Sequence, residues 1–350
     1  MKLNEIIAYS DFKNLTKEDI DKIVKKLEIN DIDDDKKHYL YEIKQLIYRD
    51  QELNELIENR VFAGRTSLKW YKLLIEDSQI MEIVEKLESN ENYYNAIDKV
   101  NTNELSDMHK YTCMKLGNNK YIIRLYVPTG QKTVDNGLEL KRIKTISNTT
   151  VIIDLNEKLL EVRSSSKYAD KIANSICDYL HIINHDGKRI LGNHSNSLEK
   201  FRDSLNNGKF IDTTSIPDEN IELTSSENQL VVKTLESLDE YFIDKGLDKL
   251  INSLNDMNPE GTPFTQLLLA GMSKIGMAVK PNADDDLSQK SLYKLFKGYM
   301  TDYSGYITFT LPGDIHEIRY TLLVGVKTNT ISFRSSVTEE VIDYVKSKIV

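Results

Sequence analysis

Apolar positions recur every three to four residues through the first hundred residues, then every second residue from about position 110. In the first stretch Leu15 and Thr16 supply a staple residue and an N-cap. Asp19 falls three after the cap, and Ile20, Ile23, Val24 and Leu27 share one helical face. Leu40, Ile43 and Ile47 mark a second helix that runs on through Leu53, Leu56 and Ile57 until Gly64 interrupts it. The basic aromatic segment from Arg65 to Lys72 restarts a helix at Thr66 or Ser67. Asp77 or Ser78 caps the next, with Ile80, Ile83, Val84 and Leu87 inward. Short amphipathic helices of this kind are expected to stack into a bundle.

Beyond residue 110 the alternation predicts strands over YIIRLYV, ELKRIKTI, TVIIDL and KLLEVR, with Asn118-Asn119 and Asn156-Glu157 in turns, and then a helix from about Lys167 to Leu180. A short helix is expected near Leu198 to Leu205, and NNGKFIDTTSIPDEN reads as a linker. Helices return after Ser226: Leu247, Leu250, Ile251 and Leu254 form a stripe, and FTQLLLAGMSKIGMAV and SLYKLFKGYM follow as helical segments. The last strands begin at Tyr306.

The end of the chain, TLLVGVKTNTISFRSSVTEEVIDYVKSKIV, repeats the pattern that begins at Val151, VIIDLNEKLLEVRSSSKYADKIANSICDYL. Arg163-Ser164-Ser165 matches Arg334-Ser335-Ser336, and Tyr121 matches Tyr306. From Tyr to Arg the first copy takes 42 residues and the second 28, so the first carries an insertion, placed most easily between Gly130 and Gly137. The expected fold class is α+β: an N-terminal helical bundle, then two related antiparallel sheet-plus-helix modules with a helical insert between them. The expected domains are 1–106, helical; 107–212, the first module; and 213–350, a helical segment plus the second module.

Composition adds a charge asymmetry. The net charge is -9, yet residues 108–180 hold 12 Lys and Arg against 7 Asp and Glu, a balance of +5, and residues 213–350 hold 13 against 20, a balance of -7. A polyanion is therefore expected to meet the middle of the chain, through Lys141, Arg142, Lys144, Arg163 and Lys167. The start of the chain lacks a signal-peptide core, no apolar run approaches membrane-spanning length, and the two cysteines are too few for a disulfide framework. The expectation is a cytoplasmic protein with no membrane association.

Each chemistry-bearing pattern also has a plainer role. The serines of the two Arg-Ser-Ser corners can cap the helices that follow; with Arg163 and Arg334, the set Ser164, Ser165, Ser335 and Ser336 can also present donors to an anion. Residues 31–42, DIDDDKKHYLYE, place Asp31, Asp33, Asp35 and Glu42 at calcium-loop spacing, but Lys36 stands at the position that needs glycine. An acidic turn is the plainer reading. The stretch LTKEDIDKIVKKLEINDIDDDKKHYLYEI resembles, in its hydrophobic spacing, a SAP-type helix-extended-helix DNA-binding module, without that module's glycine or net basic surface. His181, His185 and His194 with Asp186 sketch a metal site that Asp186-Gly187, a helix-ending pair, argues against. Asp154 and Glu161 have the spacing of metal-dependent nuclease carboxylates, with Arg163 where a lysine is needed. Trp70, Tyr71, Tyr121 and Tyr126 lie beside basic residues, as base-stacking side chains do and as half-buried sheet tyrosines also do.

Phosphate-loop, dinucleotide, nucleophile-elbow and zinc-helix motifs are absent from the sequence, and no cofactor or metal is assigned. The leading expectation is a non-enzymatic binding protein with nucleic acid as the candidate partner of the basic middle. A protein–protein adaptor is the first alternative and a metal-dependent nuclease the second. The Lys, Asn, Ile and Tyr enrichment suggests an AT-rich genome, where mobile-element and phage–host conflict genes are common.

Overall fold

Trp70 and its neighbours, expected in a helix, form strand β1 (Ser67–Leu73), which lies inside the larger sheet of the protein. Leu68 and Trp70 fall on one side of β1 and Tyr71 and Leu73 on the other, and all four are buried. A strand covered on both faces loses its polar alternation, so its apolar spacing no longer separates the two periods. Its aromatic side chains suit the pleated surface.

The computed structural model describes residues 5–27, 50–89, 93–94, 97–100, 111–135, 137–217, 236–244, 246–248, 250–252, 275–278, 286–290, 293–294, 297, 300–313 and 316–350. The chain divides into two units, one of residues 1–190 with 329–350 and one of residues 191–328. The fold class is α+β. Residues 31–42, with most of the SAP-like stretch beyond Leu27, lie outside the described residues, as does most of FTQLLLAGMSKIGMAV.

In the first unit the elements are α1 (Lys17–Lys26), α2 (Gln51–Glu58), β1, α3 (Asp77–Glu88), β2 (Tyr93–Tyr94), β3 (Tyr111–Gly117), β4 (Lys120–Asp135), β5 (Leu140–Asp154), β6 (Leu159–Arg163), α4 (Ser166–Tyr179), β7 (His185–Gly187), β12 (Thr330–Phe333) and α6 (Glu339–Lys346). The second unit supplies α5 and β8 to β11. Thr16 caps α1 as expected, accepting from the Asp19 amide at 3.1 Å while Asp19 accepts from the Thr16 amide at 2.8 Å. Asp50 is extended and accepts from Leu53 N–H at 3.1 Å, which makes it the N-cap from which α2 begins.

The sheet order in this unit is β2-β3-β4-β5-β6-β1-β12, with β7 also on β1; every described pair is antiparallel except β2 with β3. ELKRIKTI and TVIIDL, expected as two strands, are one continuous strand, β5. Tyr121, Ile123, Val151, Ile153, Leu160 and Val162 face α3 and α4, packing on Ile83, Leu87, Ala169, Ile172 and Ile176. The alternate positions Met114 and Ile122 face the N-terminal segment, against Phe12, Ile23, Leu53, Ile57 and Phe62. The unit is thus an antiparallel sheet between two helical layers.

The second unit has α5 (Leu198–Ser204), β8 (Lys209–Pro217), β9 (Ile275–Ala278), β10 (Met300–Leu311) and β11 (Ile318–Gly325), with sheet order β9-β8-β10-β11, all antiparallel. The segment read as a linker is strand β8, which pairs with β10 on one side and β9 on the other, and Phe210 within it is fully buried. The end of FTQLLLAGMSKIGMAV is likewise strand, as β9. Among the described residues no helix is long and apolar enough to cross a membrane.

The two turns that precede β6 and β12 have the same form. Each spans four residues and closes on a left-handed residue, Lys158 at φ 50° and Asn329 at φ 50°. Each is followed by a short strand that pairs with β1, and then by a helix: Glu161 meets Trp70 across the strands, and Ser332 meets Ser67.

Gly64 joins the N-terminal layer to the end of the chain. Its backbone exchanges hydrogen bonds with Val337 at 3.0 and 3.3 Å, its φ is +71°, and a Cβ there would lie 2.6 Å from the Asn14 side chain. Gly64→Ala should therefore destabilise the protein by about 2–3 kcal/mol, from the left-handed backbone and the displaced Asn14 together, measured by urea unfolding.

Candidate functional site

β4 and β5 pair over fifteen rungs, from Lys120 opposite Asp154 out to Asp135 opposite Leu140. β3 accompanies β4 only to Leu125, and β6 accompanies β5 only from Thr150. Past those points a two-stranded arm leaves the body, about nine residues per strand or roughly 30 Å long at ~3.3 Å per residue. Residues 129–135 and 137–144 are all exposed. A bulge at Thr129, between the Pro128 and Gly130 pairings, marks its base. There Asn148 donates to Ser10 Oγ at 3.2 Å and to Asp11 Oδ1 at 3.4 Å, tying the arm to the 3-10 turn Tyr9–Asn14.

The register assigns the arm's side chains to faces. Arg142, Lys144, Leu140 and Ile146 share one face with Gln131, Thr133 and Asp135; Lys141 and Ile143 share the other with Lys132 and Val134. Lys141, Arg142 and Lys144 are thus brought together on the arm but split between its faces. Over residues 128–146 four cations stand against Asp135 and Glu139, a balance of +2, and Lys141 pairs with Glu139 at 2.5 Å. Beside these charges lie uncovered aliphatics: Leu138 is 95% exposed, Leu140 71% and Ile143 51%. A lone two-stranded ribbon is marginal in water, so this surface is built to be covered or is held by charge against self-pairing.

Arg163 is corrected as a phosphate contact. It is buried, and all three guanidinium nitrogens are taken: Nε by Glu161 at 2.8 Å, Nη1 by the Phe62 carbonyl at 2.7 Å and Glu339 at 2.5 Å, and Nη2 by Glu339 at 2.6 Å. Its partner Glu161 also accepts from Trp70 Nε1 at 2.8 Å. Strand alternation put Glu161 and Arg163 on one face, which sequence alone reads as solvated. The N-terminal segment and α6 cover it. Ser164 is half-buried, and Ser165 is the N-cap of α4 without a side-chain capping bond. Lys167 is exposed in the first turn of α4, 5.3 Å from the Tyr168 ring centre. Arg334 is exposed, Ser335 half-buried, and Ser336 donates to the Asn14 carbonyl at 3.3 Å.

The remaining constellations serve the fold. Asp154 accepts from the Asn156 and Glu157 amides at 3.1 and 3.0 Å, closing the turn, while Glu161 is locked to Arg163, so the two carboxylates do not converge. Among the described residues no group of three His, Cys, Asp or Glu is placed to hold a metal ion. Trp70, Tyr71, Tyr121 and Tyr126 are buried, their polar tips on Glu161, Asp170, Glu88 and Thr112. Burial pushes the Tyr71 phenol upward, and the Lys69 and Tyr71 hydrogen bonds bring the Asp170 carboxyl below its usual range against the opposing effect of burial. Neither group is poised for proton transfer near neutrality. Cys113 and Cys177 sit in the same core, their thiols pushed up to about 12 by burial.

The sequence matches no protein-family model and no curated protein, so the functional reading rests on this geometry.

Burial raises the Glu161 carboxyl, but Arg163, Lys346 and the Trp70 N–H outweigh it and hold it below the ordinary 4.5. A depressed carboxylate contributes stability that is present above its unfolded value and lost as the pH falls through the folded one. Glu161→Gln should therefore lower stability at neutral pH by about 2–3 kcal/mol. Below about 4.5 the gap between wild type and variant should shrink, as read from urea unfolding along a pH series.

Proposed function

We propose that the protein is a binding protein without catalytic chemistry that contacts nucleic acid through the β4–β5 arm. The observation that supports the reading is a basic ribbon projecting from the body with Lys132, Lys141, Arg142 and Lys144 exposed along it, in a chain whose net charge is -9. Cations spread over both faces of a ribbon meet phosphates without ordering base contacts, so binding is expected to be weak in sequence preference, micromolar or weaker, and strongly salt-dependent. The two β-β-β-α segments, β4 to α4 and β10 to α6, are read as related copies. The 14 residues by which the first exceeds the second, 42 less 28, then lie in the arm. Binding would reside in what one copy has and the other lacks.

A protein partner is the second reading, favoured by Leu138, Leu140 and Ile143 standing uncovered on the same arm. Electrophoretic retention of single- and double-stranded DNA and RNA at two salt concentrations separates the two. Nucleic-acid binding predicts that replacing Lys132, Lys141, Arg142 and Lys144 by alanine weakens retention of every sequence alike and flattens the slope of log K against log salt by roughly 3. Absence of retention by the wild type at low salt would move the assignment to the protein partner.

A further inference from the structure

A cleft of about 440 Å³ opens in the first unit, lined by Lys13, Asn14, Leu15, Thr16, Arg65 and Ser336. Lys13 and Arg65 are exposed, and neither has a carboxylate partner among the described residues. The lining contains two cations, two hydroxyls and an amide, and no acid. Asp19, which contacts the lining residue Thr16, is committed to the Thr16 amide and hydroxyl at 2.8 and 2.7 Å and has Arg60 beside it at 3.6 Å.

The walls are tied together. The Asn14 amide donates to the Val61 carbonyl at 2.8 Å, Ser336 Oγ donates to the Asn14 carbonyl, and Asn14 packs directly on Gly64. Residues 333–337 are pinned to the stretch before β1 at both ends: Phe333 N–H donates to the Thr66 carbonyl at 2.8 Å, and Val337 exchanges bonds with Gly64. Arg334, Ser335 and Ser336 are therefore held as a loop across from Arg65 by backbone bonds that do not involve the cationic side chains. Such a frame keeps donors in place before a ligand arrives, which lowers the ordering cost of binding.

We propose that this cleft binds a phosphate monoester dianion, with Arg65 and Lys13 supplying charge. Two cations in an acid-free cleft match a group of charge near -2; an internal phosphodiester carries only one charge. A terminal phosphate of a nucleic acid and a free phosphorylated small molecule present the same group. The site is independent of the arm, because no arm residue lines it.

The test titrates the full-length protein with inorganic phosphate at constant ionic strength and follows the Arg65 Nε–H and Ser336 amide resonances. Saturable shifts are expected in the wild type, and Arg65→Ala and Lys13→Ala should each weaken the apparent affinity at least tenfold while resonances remote from the cleft stay in place. A parallel titration with a 5′-phosphorylated and a 5′-hydroxyl oligonucleotide separates the sources: a preference for the phosphorylated end assigns the site to nucleic-acid termini, and binding of phosphate alone assigns it to a small molecule. Non-saturable shifts in the wild type, or affinities unchanged in both variants, would overturn the proposal.

Discussion

The first unit depends on one buried charge. Arg163 gathers Glu161 from its own strand, the Phe62 carbonyl from the N-terminal layer and Glu339 from the last helix, and Trp70 of β1 completes Glu161. Taking these ions from water costs several kcal/mol each, which the paired geometry only repays when every donor and acceptor is met. Removing any one member strands the rest, so the network fixes how three distant parts of the chain assemble more than it adds net stability. α6 is registered at the same place, its first N–H received by the Asn59 carbonyl and side-chain oxygen at 2.9 and 3.0 Å. Arg124 forms a second buried ion pair, with Asp11, bonding also to Thr150 and lying over the Phe62 ring, but its Nε has no hydrogen-bond partner among the described residues.

Two features of the first unit lie outside that network. The arm spends no side chains on the core beyond its base, and its apolar and basic residues face solvent on both sides. The cleft beside Gly64 collects Lys13, Arg65 and Ser336 from segments whose backbones are already tied to one another. Asn148 at the arm's base bonds to the same short turn that carries Lys13.

Much of this was legible in the sequence where local chemistry decides. The Thr16 cap with its reciprocal Asp19 and the alternation of β4 to β6 are written in short stretches. The stretch between Gly130 and Gly137, read as the place of an insertion, lies in the arm. What was missed depends on distant cover. β1 read as helix because burial on both faces removes alternation. Arg163 read as a surface cation because the carboxylate that buries it, Glu339, is 176 residues away. β8 read as linker from its turn-forming residues, whereas its burial comes from β9 and β10 on either side. The cleft is scarcely legible in the sequence: Lys13, Arg65 and Ser336 belong to three separate segments, and of these only Ser336 is marked, by the Arg-Ser-Ser pattern.

On the proposed reading the arm carries the binding and the body carries the fold. The most direct measurement excises residues 128–146 and joins Val127 to Ser147 through an Asn-Gly turn, which suits a two-residue hairpin. An unchanged Tm is expected, since those residues contribute nothing to either described core, together with loss of nucleic-acid retention at low salt. Retention equal to that of the intact protein, with the body still folded, would contradict it.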